Sequence, residues 1–99
     1  MQNKHYKLSL LAQDHLLKIK SYTVEHFAEP QWRKYKATLL SGFHTLADNP
    51  ELGRPCDDIH HNGFYFPVGK HVAYYIKETD SILIVAVLGR SQLPQKHLK

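Results

Sequence analysis

Lys70, His71, Tyr74, Tyr75 and Arg90 are residue types that an RNA-cleaving site needs: a base, an acid and cations around one phosphate. They lie in or just beyond two apolar runs, Val68 to Lys77 and Ile82 to Leu88, which a polar break at Glu78-Thr79-Asp80-Ser81 separates. Adjacent residues of a strand point to opposite faces, so these side chains cannot all serve one site. They are raw material for acid–base chemistry without an assigned reaction.

A second cluster, Cys56-Asp57-Asp58-Ile59-His60-His61, carries metal-ligand types but no recognised ligand spacing, and a polar loop accounts for all of it. None of the eight histidines are spaced i, i+4 on an expected helix, where two ligands would share a face. Nothing in sequence supplies Cys56 with an oriented base or an electropositive pocket, which a thiolate nucleophile requires. No metal and no cofactor is expected. Aromatic residues can stack bases, but Trp32, Tyr35 and Phe43 recur at helical core spacing, and of Tyr74 and Tyr75 only one can face solvent.

The elements that position these residues follow from periodicity. Tyr6 to Leu10 alternates and suits a first strand. From about Leu11, Ala12, Leu16, Ile19, Thr23 and Phe27 form one helical stripe, with Asp14 favourably placed against the helix dipole. Glu29-Pro30 breaks that helix and opens a second, with Trp32, Tyr35, Leu39, Phe43 and Leu46 on one face; Asp48-Asn49-Pro50 stops it. Lys18, Lys20, Arg33, Lys34 and Lys36 read as solvated faces. A connection this short makes the helices antiparallel, so both stripes face one neighbour, a sheet.

Glu51 to Gly63 reads as a polar loop, and Phe64 to Pro67 as a short strand ending at proline, with a turn at Val68-Gly69. The two apolar runs then form a hairpin, the second too continuously apolar to be solvated on either face and so expected at the centre of the sheet. The expected fold is α+β: an N-terminal strand, an antiparallel helical hairpin, then three mainly antiparallel strands (β-α-α-β-β-β), in one domain over residues 1–99. After Leu88 the tail is polar and basic.

Ninety-nine residues with 42% hydrophobic content fit one small domain, and a formal charge of +4 favours acidic partners, nucleic acid or protein. One cysteine excludes an intramolecular disulfide, no run approaches the length of a membrane span, and Met1 to His5 leads in without an apolar signal core. A cytoplasmic protein, not a membrane one, is expected.

Tyr35, Leu39 and Phe43, then Leu46-Ala47-Asp48-Asn49-Pro50-Glu51-Leu52-Gly53-Arg54, then Phe66-Pro67-Val68-Gly69-Lys70-His71-Val72, with Tyr74-Tyr75 and Ile82 to Leu88, resemble the RelE/ParE toxin superfamily in order and spacing, over nearly the whole chain. The resemblance is nearest to its ParE branch. It implies a helical hairpin on a mainly antiparallel sheet, and the toxin half of a toxin–antitoxin pair neutralised by a small ParD-like antitoxin that wraps its surface. A basic toxin suits an acidic wrapping partner.

Two activities occur in that superfamily. RelE-like members are ribosome-dependent mRNA interferases, commonly with an arginine in the last strand and a Tyr or His beyond it; ParE-like members inhibit DNA gyrase and need no hydrolytic site. Here Ala86 stands at the last-strand position and Gly89 just after the strand, so the resemblance implies a gyrase inhibitor with no catalytic residue and no required contact with nucleic acid. The residues expected to touch the target are Arg90 and the tail through Lys96 and His97, with Lys70 and Tyr65 near the open sheet face. The alternatives are an mRNA interferase using Lys70, His71 or Arg90, and a basic binding module that kept the fold without activity.

Overall fold

The computed structural model describes residues 5–57 and 62–91. The chain begins with β1 (His5–Leu8), followed by α1 (Leu10–Phe27) and α2 (Glu29–Asp48); a single 3-10 turn at Pro50–Leu52 leads into β2 (Arg54–Pro55), β3 (Gly63–Val68), β4 (His71–Lys77) and β5 (Ser81–Gly89). The five strands form one sheet in the order β1-β5-β4-β3-β2. All pairs are antiparallel except β1 with β5: the helical hairpin carries the chain to the far edge at β2, and three antiparallel turns back across the sheet bring β5 alongside β1 in the same direction. The sheet is therefore mixed, and the expected order of strand, two helices and antiparallel strands is what the chain adopts.

Several boundaries move for local reasons. Leu10, expected to end the first strand, belongs to α1, because the Ser9 hydroxyl accepts from the Ala12 N–H at 3.0 Å and caps the helix one residue earlier. Asp14 lies beyond the first turn of α1 and pairs with Lys18 at 3.2 Å instead of serving the helix end. Pro67 does not terminate β3: it pairs with Val72, on a stretch that β2 does not cover, where edge position makes a missing N–H tolerable. Within the expected loop, Arg54 and Pro55 add a two-residue edge strand against Tyr65 and Phe64.

Both helices cover one face of the sheet. Ala12 of α1, with Trp32, Leu39, Phe43 and Leu46 of α2, packs on Val68, Ala73, Tyr75, Ile82, Ile84 and Val87. Tyr75 faces this core while Tyr74 faces the other side, against Ala86 and Leu88. The opposition of the two tyrosines is the strand alternation expected of them. In β5 the alternation slips: Tyr74 pairs with Ala86 but Tyr75 with Ile84, leaving Val85 as the extra residue of a bulge. Ile82 and Ile84 thus point to the helices, and beyond the bulge Val87 does so while Ala86 and Leu88 point away. A continuously apolar run is what such a strand needs, since neither parity of residues stays on one face.

Tyr75 also ties the loop to the sheet. Its hydroxyl donates to the Pro50 carbonyl at 2.7 Å and accepts from the Gly53 N–H at 3.0 Å, with the ring fully buried. Among the described residues, no helix is long and apolar enough to cross a membrane.

Candidate functional groove

Where β1 ends, α1 takes over the outer edge of β5. The Ser9 N–H donates to the Ile84 carbonyl at 3.0 Å, the Ser9 hydroxyl to the Val85 carbonyl at 2.9 Å, and the Val87 N–H to Nδ1 of His15 at 3.1 Å. Beyond His15 the helix and the sheet diverge. The gap is a groove of about 600 Å³ walled by Ile19, Tyr22 and Phe27 of α1, Tyr35 of α2, and the strand ends at His71 and Val87.

Phe27, expected in the core stripe of the first helix, is instead 59% exposed, and Tyr22 is 58% exposed. The cause is length: the last turn of α1 runs past the end of β5 to the hairpin tip at Ala28, where no sheet lies beneath it. Ala28 alone joins the helices, at φ 76° and ψ 168°, a region that residues with a Cβ rarely enter. Tyr22 stacks on His26 with ring centroids 4.1 Å apart.

At the sheet end of the groove, Tyr35 holds the turn between β3 and β4. Its oxygen accepts from the Lys70 N–H at 2.9 Å, and the hydroxyl shares a short hydrogen bond with Nδ1 of His71. Gly69 is required here on two counts: its φ is +59°, and a Cβ would stand 2.8 Å from the Tyr35 ring. Arg90 closes the turn from the other side, its guanidinium donating to the Gly69 carbonyl at 2.9 Å. Burial raises the Tyr35 pKa, opposed by its bond from Lys70 and by the charge of Arg90. Burial lowers that of His71, favouring the neutral ring.

In the tautomer in which Nδ1 accepts from Tyr35, a neutral His71 carries its hydrogen on Nε2. With the Tyr35 proton shared with Nδ1, the remaining ring nitrogen is a donor in that tautomer, and Lys70 lines the same groove. The geometry is suited to holding an acceptor or an anion.

The structure thus brings Lys70, His71 and Arg90 together and adds Tyr35, which helical periodicity alone assigns to the core. Tyr74, considered with them, lies on the opposite face of the sheet. So does Tyr65, half-buried with its ring centroid 6.4 Å from that of Tyr74, and so apart from Lys70. Lys96 and His97 lie outside the described residues, as do Asp58, Ile59, His60 and His61 of the possible ligand cluster. Among the described residues no three His, Cys, Asp or Glu side chains are grouped as metal ligands. His15 and Tyr22 had no signal in sequence beyond their place on a helix.

The family model for the ParE toxin of the type II toxin–antitoxin system parDE matches residues 6–94. Toxin ParE1 of Mycobacterium tuberculosis, in the CDC 1551 and H37Rv strains alike, is 31% identical over 87 residues, which cover 87% of this chain and 89% of the relative. A solved structure of the chromosomal ParDE system from P. aeruginosa superposes with a TM-score of 0.74 at 16% identity, over 87% of this chain and 95% of that one, and shares the fold. The fold is that of the RelE/ParE toxins, and the chain belongs to the ParE toxin family of type II toxin–antitoxin systems.

Proposed function

We propose that this chain arrests growth by binding DNA gyrase and blocking its supercoiling cycle, without chemistry of its own, and that a small ParD-like antitoxin neutralises it in the cytoplasm. The observation that supports binding over cleavage is the setting of Ala86. This last-strand position, where the RelE-like pattern carries an arginine, is fully buried against Tyr74 and Leu88. A cation there would be stripped of water among apolar neighbours, so the departure is built into the packing. Arg90 and Lys70 are exposed beside the groove and are the target contacts this reading favours among the described residues. Purified protein titrated into a gyrase supercoiling reaction tests it: inhibition at a small molar excess is expected, and unchanged supercoiling at a large excess would sink the idea.

One observation favours a second reading, a ribosome-dependent mRNA interferase: Lys70, His71, Tyr35 and Arg90 converge on one turn. A translating extract supplied with the protein would then show cleaved mRNA, and cleavage would disappear on substitution of Lys70, His71 or Arg90. Intact mRNA removes this reading.

A further inference from the structure

Lys7, Lys18 and Lys77 each stand beside a carboxylate, that of Glu78, Asp14 and Glu51, at 3.2, 3.2 and 2.7 Å. Lys70 and Arg90 are exposed at one turn, and neither has such a partner among the described residues. No Asp or Glu is among the described residues lining the groove beside them.

The turn holds the two charges in fixed relation. The peptide between Gly69 and Lys70 is bonded at both ends: its carbonyl accepts from the Arg90 guanidinium at 2.9 Å, and its N–H donates to the Tyr35 oxygen at 2.9 Å. One peptide therefore carries the Lys70 side chain and tethers that of Arg90, with the Gly69 φ of +59° setting the turn. The tether occupies part of the guanidinium fork and leaves its other N–H groups for a ligand. Lys36 of α2 is exposed as well, but among the described residues no bond holds its side chain in place.

Two exposed, prepositioned cations suit a ligand that stays hydrated and carries dense negative charge. A lone carboxylate gains little from a cation in open solvent. A phosphodiester backbone gains more, because each phosphate neutralised by Lys or Arg releases a condensed counterion, and the arginine fork matches phosphate oxygens. Gyrase acts on duplex DNA, so a chain bound to the working enzyme meets such a backbone.

We propose that Lys70 and Arg90 form a phosphate clamp on the backbone of the DNA that gyrase holds, so that this chain binds the gyrase–DNA complex more tightly than gyrase alone. This rests on the gyrase reading and extends it by a nucleic-acid contact that inhibition through protein binding does not require. The clamp touches phosphates and not base edges, so it carries no preference for sequence. Its affinity falls as salt rises, by about 0.9 in log K per unit of log salt for each phosphate neutralised.

The test measures binding of the full chain to immobilised gyrase, with and without a short DNA duplex, over a series of salt concentrations. The unaltered chain is expected to bind the DNA-loaded enzyme at least about fivefold more tightly than the DNA-free one. Lys70→Gln and Arg90→Gln should each lower that ratio and flatten its salt slope by about one unit, and together should bring the ratio to within about twofold of one. Arg90→Lys keeps the charge and should keep the slope. Lys36→Gln controls for net charge and should leave the ratio within about twofold of its original value. Thermal melts verify that each variant is folded. If the unaltered chain binds both forms of gyrase equally, or if Lys36→Gln lowers the ratio as far as the turn variants do, the clamp is wrong while the gyrase reading stands. If it binds neither form, both fail. A labelled RNA that loses affinity on Lys70→Gln while the gyrase ratio stays unchanged would assign these cations to RNA and overturn the proposal.

Discussion

The hydroxyl of Tyr35 and Nδ1 of His71 are joined across 36 positions of sequence, linking α2 to the first residue of β4. The same oxygen accepts from the Lys70 N–H, so one phenol satisfies two groups of a tight turn. Tyr35→Phe removes that partner from His71 in a part-buried place and from the Lys70 N–H in an exposed one. The expected loss is about 1 kcal/mol, measured as a lower urea midpoint with unchanged slope.

The His71 pKa predicts a direction of pH dependence. Burial lowers it below its ordinary 6.5, so between the lowered value and 6.5 the unfolded chain binds more protons than the folded one. Stability from this group is complete above pH 6.5, falls as the pH drops through that window, and levels off below the folded value. Other groups titrate nearby, so the comparison is with His71→Gln, whose side-chain oxygen can still accept from Tyr35. Urea midpoints from pH 8 to pH 5 should fall more steeply for the unaltered chain than for this variant.

The hairpin tip predicts a stabilising change. Ala28 occupies a conformation that costs a residue with a Cβ about 1–3 kcal/mol, against roughly 0.5–1 kcal/mol for the extra unfolded-state freedom of glycine. Ala28→Gly should therefore stabilise by about 1 kcal/mol, raising the melting temperature by roughly 4–8 °C. A melting temperature at or below that of the unaltered chain would show that the strain is relieved elsewhere.

Where the fold was legible in sequence, the signal was periodicity imposed by burial on one face. The stripes Ala12, Leu16, Ile19 and Trp32, Leu39, Phe43, Leu46 reach the core because sheet lies under them. Phe27 continues the first stripe in sequence but lies past the end of β5, and periodicity holds no information on where a sheet ends. The parallel pairing of β1 with β5 was likewise silent, being set by the crossover to β2 and the return of the chain through β3 and β4. The Val85 bulge explains why Ile82 to Leu88 shows no alternation, a pattern that sequence could register only as burial on both sides.

The site was legible as residue types and not as an arrangement. Lys70, His71 and Arg90 stood out as basic residues near the hairpin, whereas their convergence depends on Gly69 taking a positive φ beneath the Tyr35 ring. Tyr65 and Lys70 are both expected near the open sheet face; the register of Tyr65 opposite Tyr74 puts it on the face away from the helices, whereas Lys70 stands at the β3–β4 turn and lines the groove. Register follows from strand pairing, and pairing is a property of the folded sheet.

Tyr75 offers a stability prediction independent of the groove. Its hydroxyl ties the Pro50 carbonyl and the Gly53 N–H to the sheet core, and its ring has no exposed area. Tyr75→Phe keeps the ring and removes the bridge. The expected loss is about 1–3 kcal/mol, seen in the urea midpoint and accompanied by faster amide exchange at Gly53. Unchanged exchange there would mean that the 3-10 turn is held by its own contacts.

Arg90 separates contact with the target from support of the fold. Its side chain is exposed and makes one hydrogen bond to the Gly69 carbonyl, so Arg90→Ala should change stability by only about 0.5–1 kcal/mol. As a target contact it should nevertheless weaken gyrase inhibition severalfold, in a supercoiling titration at fixed enzyme. His71→Gln supplies the counterpart: under a binding mechanism it retains inhibition within about twofold, whereas an acid–base mechanism would lose roughly a hundredfold or more. Full inhibition by Arg90→Ala would remove Arg90 from the target surface. Abolished toxicity in His71→Gln with an unchanged melting temperature would instead move the function from binding to chemistry.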